Sequence, residues 1–177
     1  MAQIDPKDVL RTARKLVKRG DFAGALEKYV WIHRHAVEHD VLFHGVRLSY
    51  ALYEWLELGE AYPRARLALI HERDKAVRDL RGPRPTYSKF QDLVSMNQAL
   101  DQNELTSALF RELSVRNAKF ARKNLDIALD ALMMTHDYEL ILSVFDEAAS
   151  AFRDDSDNVF AGKTLYGRSR VIAIRKP

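Results

Sequence analysis

The sequence predicts an all-α fold of about four antiparallel helical hairpins, with a short extended or β-prone tail at the C-terminus. Three observations carry this. Seven Gly and five Pro among 177 residues are too few for a loop-rich β fold and favour long regular elements. Apolar residues recur at helical spacing along most of the chain. Similar anchor segments return at intervals typical of helical-repeat units.

The first helix opens at Asp5-Pro6, a start signal, and carries Val9, Ala13, Leu16 and Val17 on one face. Gly20-Asp21 ends it and caps the next. On that second helix Phe22, Ala25, Tyr29 and Ile32 share a face, and the small Ala25 lets two helices approach closely. Near the other end, Thr135-His136-Asp137-Tyr138 is followed by Ile141, Phe145 and Ala148 at the same spacing, after an apolar stripe of Leu125, Leu129 and Leu132. Two weaker copies fit between: Glu60-Ala61-Tyr62 with Ala65 and Leu69, and Asn103-Glu104-Leu105 with Ala108 and Val115. The anchors Phe22, Tyr62, Leu105 and Tyr138 are 40, 43 and 33 residues apart.

This spacing predicts eight helices in four pairs: 6–19 and 22–38, 41–58 and 61–80, 87–101 and 103–115, 117–134 and 137–153. The two prolines of Arg81-Gly82-Pro83-Arg84-Pro85-Thr86 forbid helix continuation and mark the clearest break, near 81–86. They separate hairpins, not domains, because each half alone exposes an apolar face. The helical domain therefore covers 1–158. A basic tail, 159–177, follows the turn-forming Asp154-Asp155-Ser156-Asp157-Asn158. Thr164-Leu165-Tyr166 and Arg170-Val171-Ile172-Ala173-Ile174 either pair as a small hairpin around Gly167, cover the end of the helices as a strand, or form a mobile tail.

Composition limits function. With no cysteine, disulfides, thiolate catalysis and cysteine-based zinc sites are excluded. The first fifteen residues mix acids and bases without an apolar h-region, and no run approaches the ~18 apolar residues of a membrane helix. A cytoplasmic location without a membrane partner is the expectation. The net charge of +3 sits in the tail: Lys163, Arg168, Arg170, Arg175 and Lys176 carry it, leaving 23 bases against 25 acids over residues 1–162.

Gly20-Asp21-Phe22…Ala25…Tyr29 and Asp137-Tyr138…Phe145…Ala148 resemble the second helix of a tetratricopeptide repeat. The sequence departs from that pattern at Glu112, where the family has an aromatic, at Ile141, where it has Ala, and in lacking the proline that ends each repeat. The resemblance covers roughly residues 6–153. It implies a right-handed α-α superhelix that recognises another protein or a peptide in a groove lined by the first helix of each pair. That groove would present Lys7, Arg14 and Lys18, then Arg47, Tyr50 and Glu54, then Phe90 and Asn97, then Lys123 and Asp126. The Lys/Asn pattern of chaperone-binding relatives is missing, Leu10 and Arg14 occupying two of its positions.

Candidate chemistry is sparse. His35 and His39 stand four apart on one helical face beside Glu38, a spacing that can share a metal, but there is no HExxH motif and no third ligand is fixed; capping or exposed histidines are the simpler reading. The basic stripe Lys7, Arg11, Arg14, Lys15, Lys18 and Arg19 reads as the solvated face of a terminal helix. The tail's bases with Tyr166 suggest single-stranded nucleic acid as the alternative partner. Asp154, Asp155 and Asp157 lack the glycine and closing glutamate of a calcium loop. No Gly-rich phosphate loop, nucleophile elbow or dinucleotide fingerprint occurs, so the expectation is a non-catalytic scaffold or adaptor without a cofactor.

Overall fold

A computed structural model describes residues 4–146. The tail at 159–177 and the stretch 147–158, with Ala148 and the acidic cluster, lie outside the described residues. Among the described residues there is no strand. The chain forms α1 (Pro6–Lys18), α2 (Phe22–His39), a 3-10 turn (Val41–Phe43), α3 (His44–Leu48), α4 (Tyr50–Ala61), α5 (Pro63–Arg81), α6 (Tyr87–Ala99), α7 (Asn103–Arg116) and α8 (Ala118–Met134). Helical turns resume over 138–146. Each helix packs on its neighbour in sequence, and α2 also meets α4, α4 meets α6, and α6 meets α8.

The caps explain where the helices end. Asp5 accepts the Lys7 amide at 2.8 Å, and Pro6 starts α1, where a missing N–H costs nothing. The turn into α2 is a Schellman turn. Gly20, at φ +78°, donates to Val17 O at 3.0 Å, and Asp21 N–H reaches Leu16 O at 3.0 Å. The Asp21 side chain then accepts the Gly24 amide at 2.9 Å.

The same turn recurs twice with non-glycine residues. Asp101 (φ +56°) joins α6 to α7, where the Gln102 amide bonds Asn97 O at 2.8 Å. His136 (φ +58°) follows α8, where the Asp137 amide bonds Leu132 O at 2.8 Å. The α4–α5 corner differs. Tyr62 is extended because Pro63 follows it, so it stands before α5 instead of inside it.

These turns reset the register of the third unit. Counted from its turn, the position of Ala25 falls to Thr106 and that of Tyr29 to Phe110, and both are buried. Leu105, Ala108 and Val115, expected on the inner face, are exposed, Val115 at 85%. Glu112 therefore does not occupy the aromatic position. In the last stretch Leu140, Ile141 and Val144 face inward, whereas Tyr138 and Phe145 are exposed.

The helix expected at 41–58 is also broken. Asp40 caps the 3-10 turn through the Leu42 amide at 2.9 Å. At Ser49 (φ −121°, ψ −96°) the hydroxyl donates to Gly45 O at 2.7 Å, a bond that competes with the helical ladder.

One core runs from Leu10 in α1 to Val144. Ala25, Ala65 and Ala128 are fully buried where helices approach closely, and Trp55 donates its indole N–H to Ala65 O at 2.9 Å. Phe90 packs against Phe110 and Phe120 with ring centroids 5.9 and 5.8 Å away.

Candidate functional site

Arg14 of α1, Tyr29 of α2 and Glu54 of α4 converge. The Arg14 Nε and Nη2 donate to the two Glu54 oxygens at 3.0 and 2.6 Å, and the Tyr29 hydroxyl donates to Glu54 Oε2 at 3.1 Å. The fork is bidentate, which fixes orientation as well as adding energy. Burial and the adjacent Glu54 charge push the Tyr29 hydroxyl well above its ordinary range. The hydrogen bond to Glu54 raises Arg14. This triad floors an open groove of about 380 Å³, walled by Val17, Lys18, Phe22, Glu57, Leu58 and Ala61. Phe22 in turn packs on Tyr62, with centroids 6.3 Å apart.

The structure thus brings Arg14, Lys18 and Glu54 together. Tyr50 is 70% exposed one turn before Glu54, and Lys7 is exposed near the start of α1. Asp126 lines a second cleft, about 490 Å³, between α6 and α8, with Gln91, Ser95, Gln98, Asp130 and Met133; Lys123 is exposed on α8.

Arg47, Phe90 and Asn97 are not surface groups. Phe90 and Asn97 are fully buried and Arg47 is 5% exposed. Phe90 is core. Asn97 accepts from Arg73 Nη1 at 3.0 Å and donates to Thr106 Oγ1 at 3.0 Å. The Ser49 bend turns α3 against α6, where Arg47 pairs with Asp92.

His35 and His39 flank the Trp31 ring, with centroids 5.9 and 5.3 Å away, and His35 Nδ1 lies 3.2 Å from Glu38. Among the described residues no three His, Asp or Glu side chains gather as a metal-holding group.

A second polar site lies where α2, α3, α5 and α6 meet. Arg47 donates to Asp92 and to His33 O at 3.1 Å. Arg34 pairs with Glu72, and His44 Nε2 lies 2.8 Å from Gln91 Oε1. Burial, with Arg47 adding to it, lowers the His33 imidazole to about 4, so it is neutral near pH 7. Burial alone would raise Glu72, but the Arg34 hydrogen bond and charge outweigh it and hold the carboxyl below its ordinary value. These groups open on a cleft of about 370 Å³.

Sequence reasoning missed this site, though one signal was present. Asp92 shares the α6 face of Met96 and Ala99, both buried, so a carboxylate there requires a buried partner.

The molecule is thus a helical-hairpin protein with a triad-floored groove and a separate charged cleft. No protein-family model, curated protein or solved structure matches the chain. Among the described residues, no helix is long and apolar enough to cross a membrane.

Proposed function

We propose that the chain is a non-catalytic, cytoplasmic scaffold or adaptor, a tetratricopeptide-like right-handed superhelix. Its groove at α1, α2 and α4 takes a peptide or protein segment carrying charges of both signs. The observation that carries this reading is the Arg14–Glu54–Tyr29 triad. It fixes three helices around an open groove while leaving Lys18 and Glu57 on the rim without ion-pair partners among the described residues. A rigid floor with unpaired rim charges lowers the entropy cost of binding and offers complementary contacts. The aromatic wall at Phe22 supplies apolar area. The superhelix is supported by helix pairs that recur with a shared turn geometry and by contacts between alternate helices.

The test is affinity capture from source-cell lysate with nuclease treatment, comparing the wild-type chain with a Lys18→Glu/Glu57→Lys variant. A protein retained after nuclease by the wild type and lost by the variant supports the adaptor reading. Loss of all partners on nuclease treatment overturns it in favour of nucleic acid bound through the five bases of 163–177.

A further inference from the structure

We infer that the cleft between α2, α3, α5 and α6 is a binding site for a phosphoryl group, distinct from the peptide groove. Its walls carry Arg34, Arg47, Lys75 and Lys89 against Glu72 and Asp92, an excess of two positive charges among the lysine, arginine and carboxylate groups. Both carboxylates are already engaged, Glu72 by Arg34 and Asp92 by Arg47. The two lysines are not comparably held. Lys75 has no ion-pair partner among the described residues, and Lys89 has only Asp79 at 3.7 Å, with both side chains nearly half exposed.

Two further observations point to an oxyanion. The first turn of α6 enters the cleft at Ser88 and Lys89 and holds no acidic residue. Thr86 Oγ1 accepts the Lys89 amide at 3.4 Å, but among the described residues the Tyr87 and Ser88 amides have no acceptor, so the positive end of the helix is only partly compensated. Independently, Arg47, 5% exposed in the cleft wall, has an Nε N–H that is buried without a partner. A buried donor left unpaired keeps the guanidinium charge of the cleft wall incompletely compensated.

A phosphoryl group suits this arrangement better than a carboxylate. A further carboxylate is best matched by a free planar guanidinium, and each guanidinium here is already paired with a carboxylate, Arg34 with Glu72 and Arg47 with Asp92. What remains is two point-charge ammonium groups, a hydroxyl and helix amides converging from α5 and α6, which fits a tetrahedral dianion.

The experiment is an NMR titration of the full chain at constant ionic strength and pH 7 with inorganic phosphate, a phosphoserine peptide and acetate. Phosphate is expected to shift the amides of Ser88, Lys89 and Lys75 saturably and to bind more tightly than acetate. A Lys75→Gln/Lys89→Gln variant is expected to bind phosphate roughly tenfold more weakly. Ser88→Glu gives a check independent of folding losses. An acid in the first turn favours the helix, yet it should abolish phosphate binding. A phosphoserine peptide binding roughly tenfold more tightly than phosphate would assign the group to a phosphorylated protein; equal or weaker binding would assign it to a free phosphate compound. Acetate binding as tightly as phosphate, no saturable shift, or unchanged affinity in Ser88→Glu would overturn the proposal.

Discussion

Arg47 and Asp92, 45 residues apart, form an ion pair that joins α3 to α6 with 5% and 9% of their side chains exposed. Neither charge is solvated, so each depends on the other. Asp92→Ala leaves the guanidinium buried and unpaired and is expected to cost about 3–5 kcal/mol. Arg47→Met/Asp92→Leu removes both charges and is expected to recover much of that loss. Urea unfolding of the two variants checks it. A single variant as stable as wild type would mean that water reaches the pair.

His33 makes stability depend on pH. Its folded-state value is lowered to about 4 from an ordinary 6.5, so between these values the unfolded chain binds more protons than the folded one. The stabilisation is complete above about pH 6.5, declines as pH falls through that window, and is gone below about 4. The shift corresponds to about 3 kcal/mol across the window, only part of it lost by pH 5. His33→Gln should flatten the pH dependence of the urea midpoint between pH 7 and 4. Identical profiles for variant and wild type would show that other groups set it.

Much of the fold was legible because helix ends are written in local chemistry. Asp5-Pro6, Gly20-Asp21 and the prolines at 83 and 85 place boundaries that the structure reproduces within a few residues. What was hidden depends on partners far along the chain. Leu48-Ser49-Tyr50 contains nothing that forbids a helix, yet the chain bends there. The buried face of the third unit begins with Thr106 and Ser107, polar residues that leave no mark in the apolar periodicity, so its phase is not visible in the sequence. For the candidate site, Arg14, Lys18 and Glu54 come from the tetratricopeptide resemblance, and the structure places them around one groove. The same resemblance places Arg47 and Asn97 in the groove, but the partners that bury them, Asp92 and Arg73, lie 45 and 24 residues away and leave no local signal.

The Asn97 amide sits within a buried chain of polar groups linking three helices. Arg73 of α5 donates to Asn97 Oδ1 at 3.0 Å and to Gln102 Oε1 at 2.7 Å, and Asn97 Nδ2 donates to Thr106 Oγ1 at 3.0 Å. Asn97→Leu should cost about 2 kcal/mol by removing one acceptor from Arg73, which keeps Gln102 and Asp74, and the donor to Thr106. Thr106→Val strands only the Asn97 amide and should cost about 1 kcal/mol. Because the residues share one network, the double variant should lose less than the two singles together, as a thermal-unfolding cycle would reveal. Strict additivity would argue that the bonds act separately.

The three left-handed turn residues allow a prediction in both directions. Gly20 needs φ +78°, and a Cβ there meets no atom within 4 Å, so Gly20→Ala is penalised by backbone conformation alone, by about 1 kcal/mol. Asp101 holds φ +56° on the surface with no side-chain hydrogen bond among the described residues to lose, and Asp tolerates this region better than most residues. Asp101→Gly should therefore raise stability by only about 0.5 kcal/mol, relief of the turn being partly offset by the greater freedom of glycine in the unfolded chain. For a chain of this length, 1 kcal/mol corresponds to a shift in Tm of about 2–4 °C, so Gly20→Ala should be resolved readily and Asp101→Gly only in replicate melts. If Asp101→Gly lowers Tm instead, the aspartate stabilises the folded turn through its side chain, and the shared geometry of the turns conceals a difference in what holds each one.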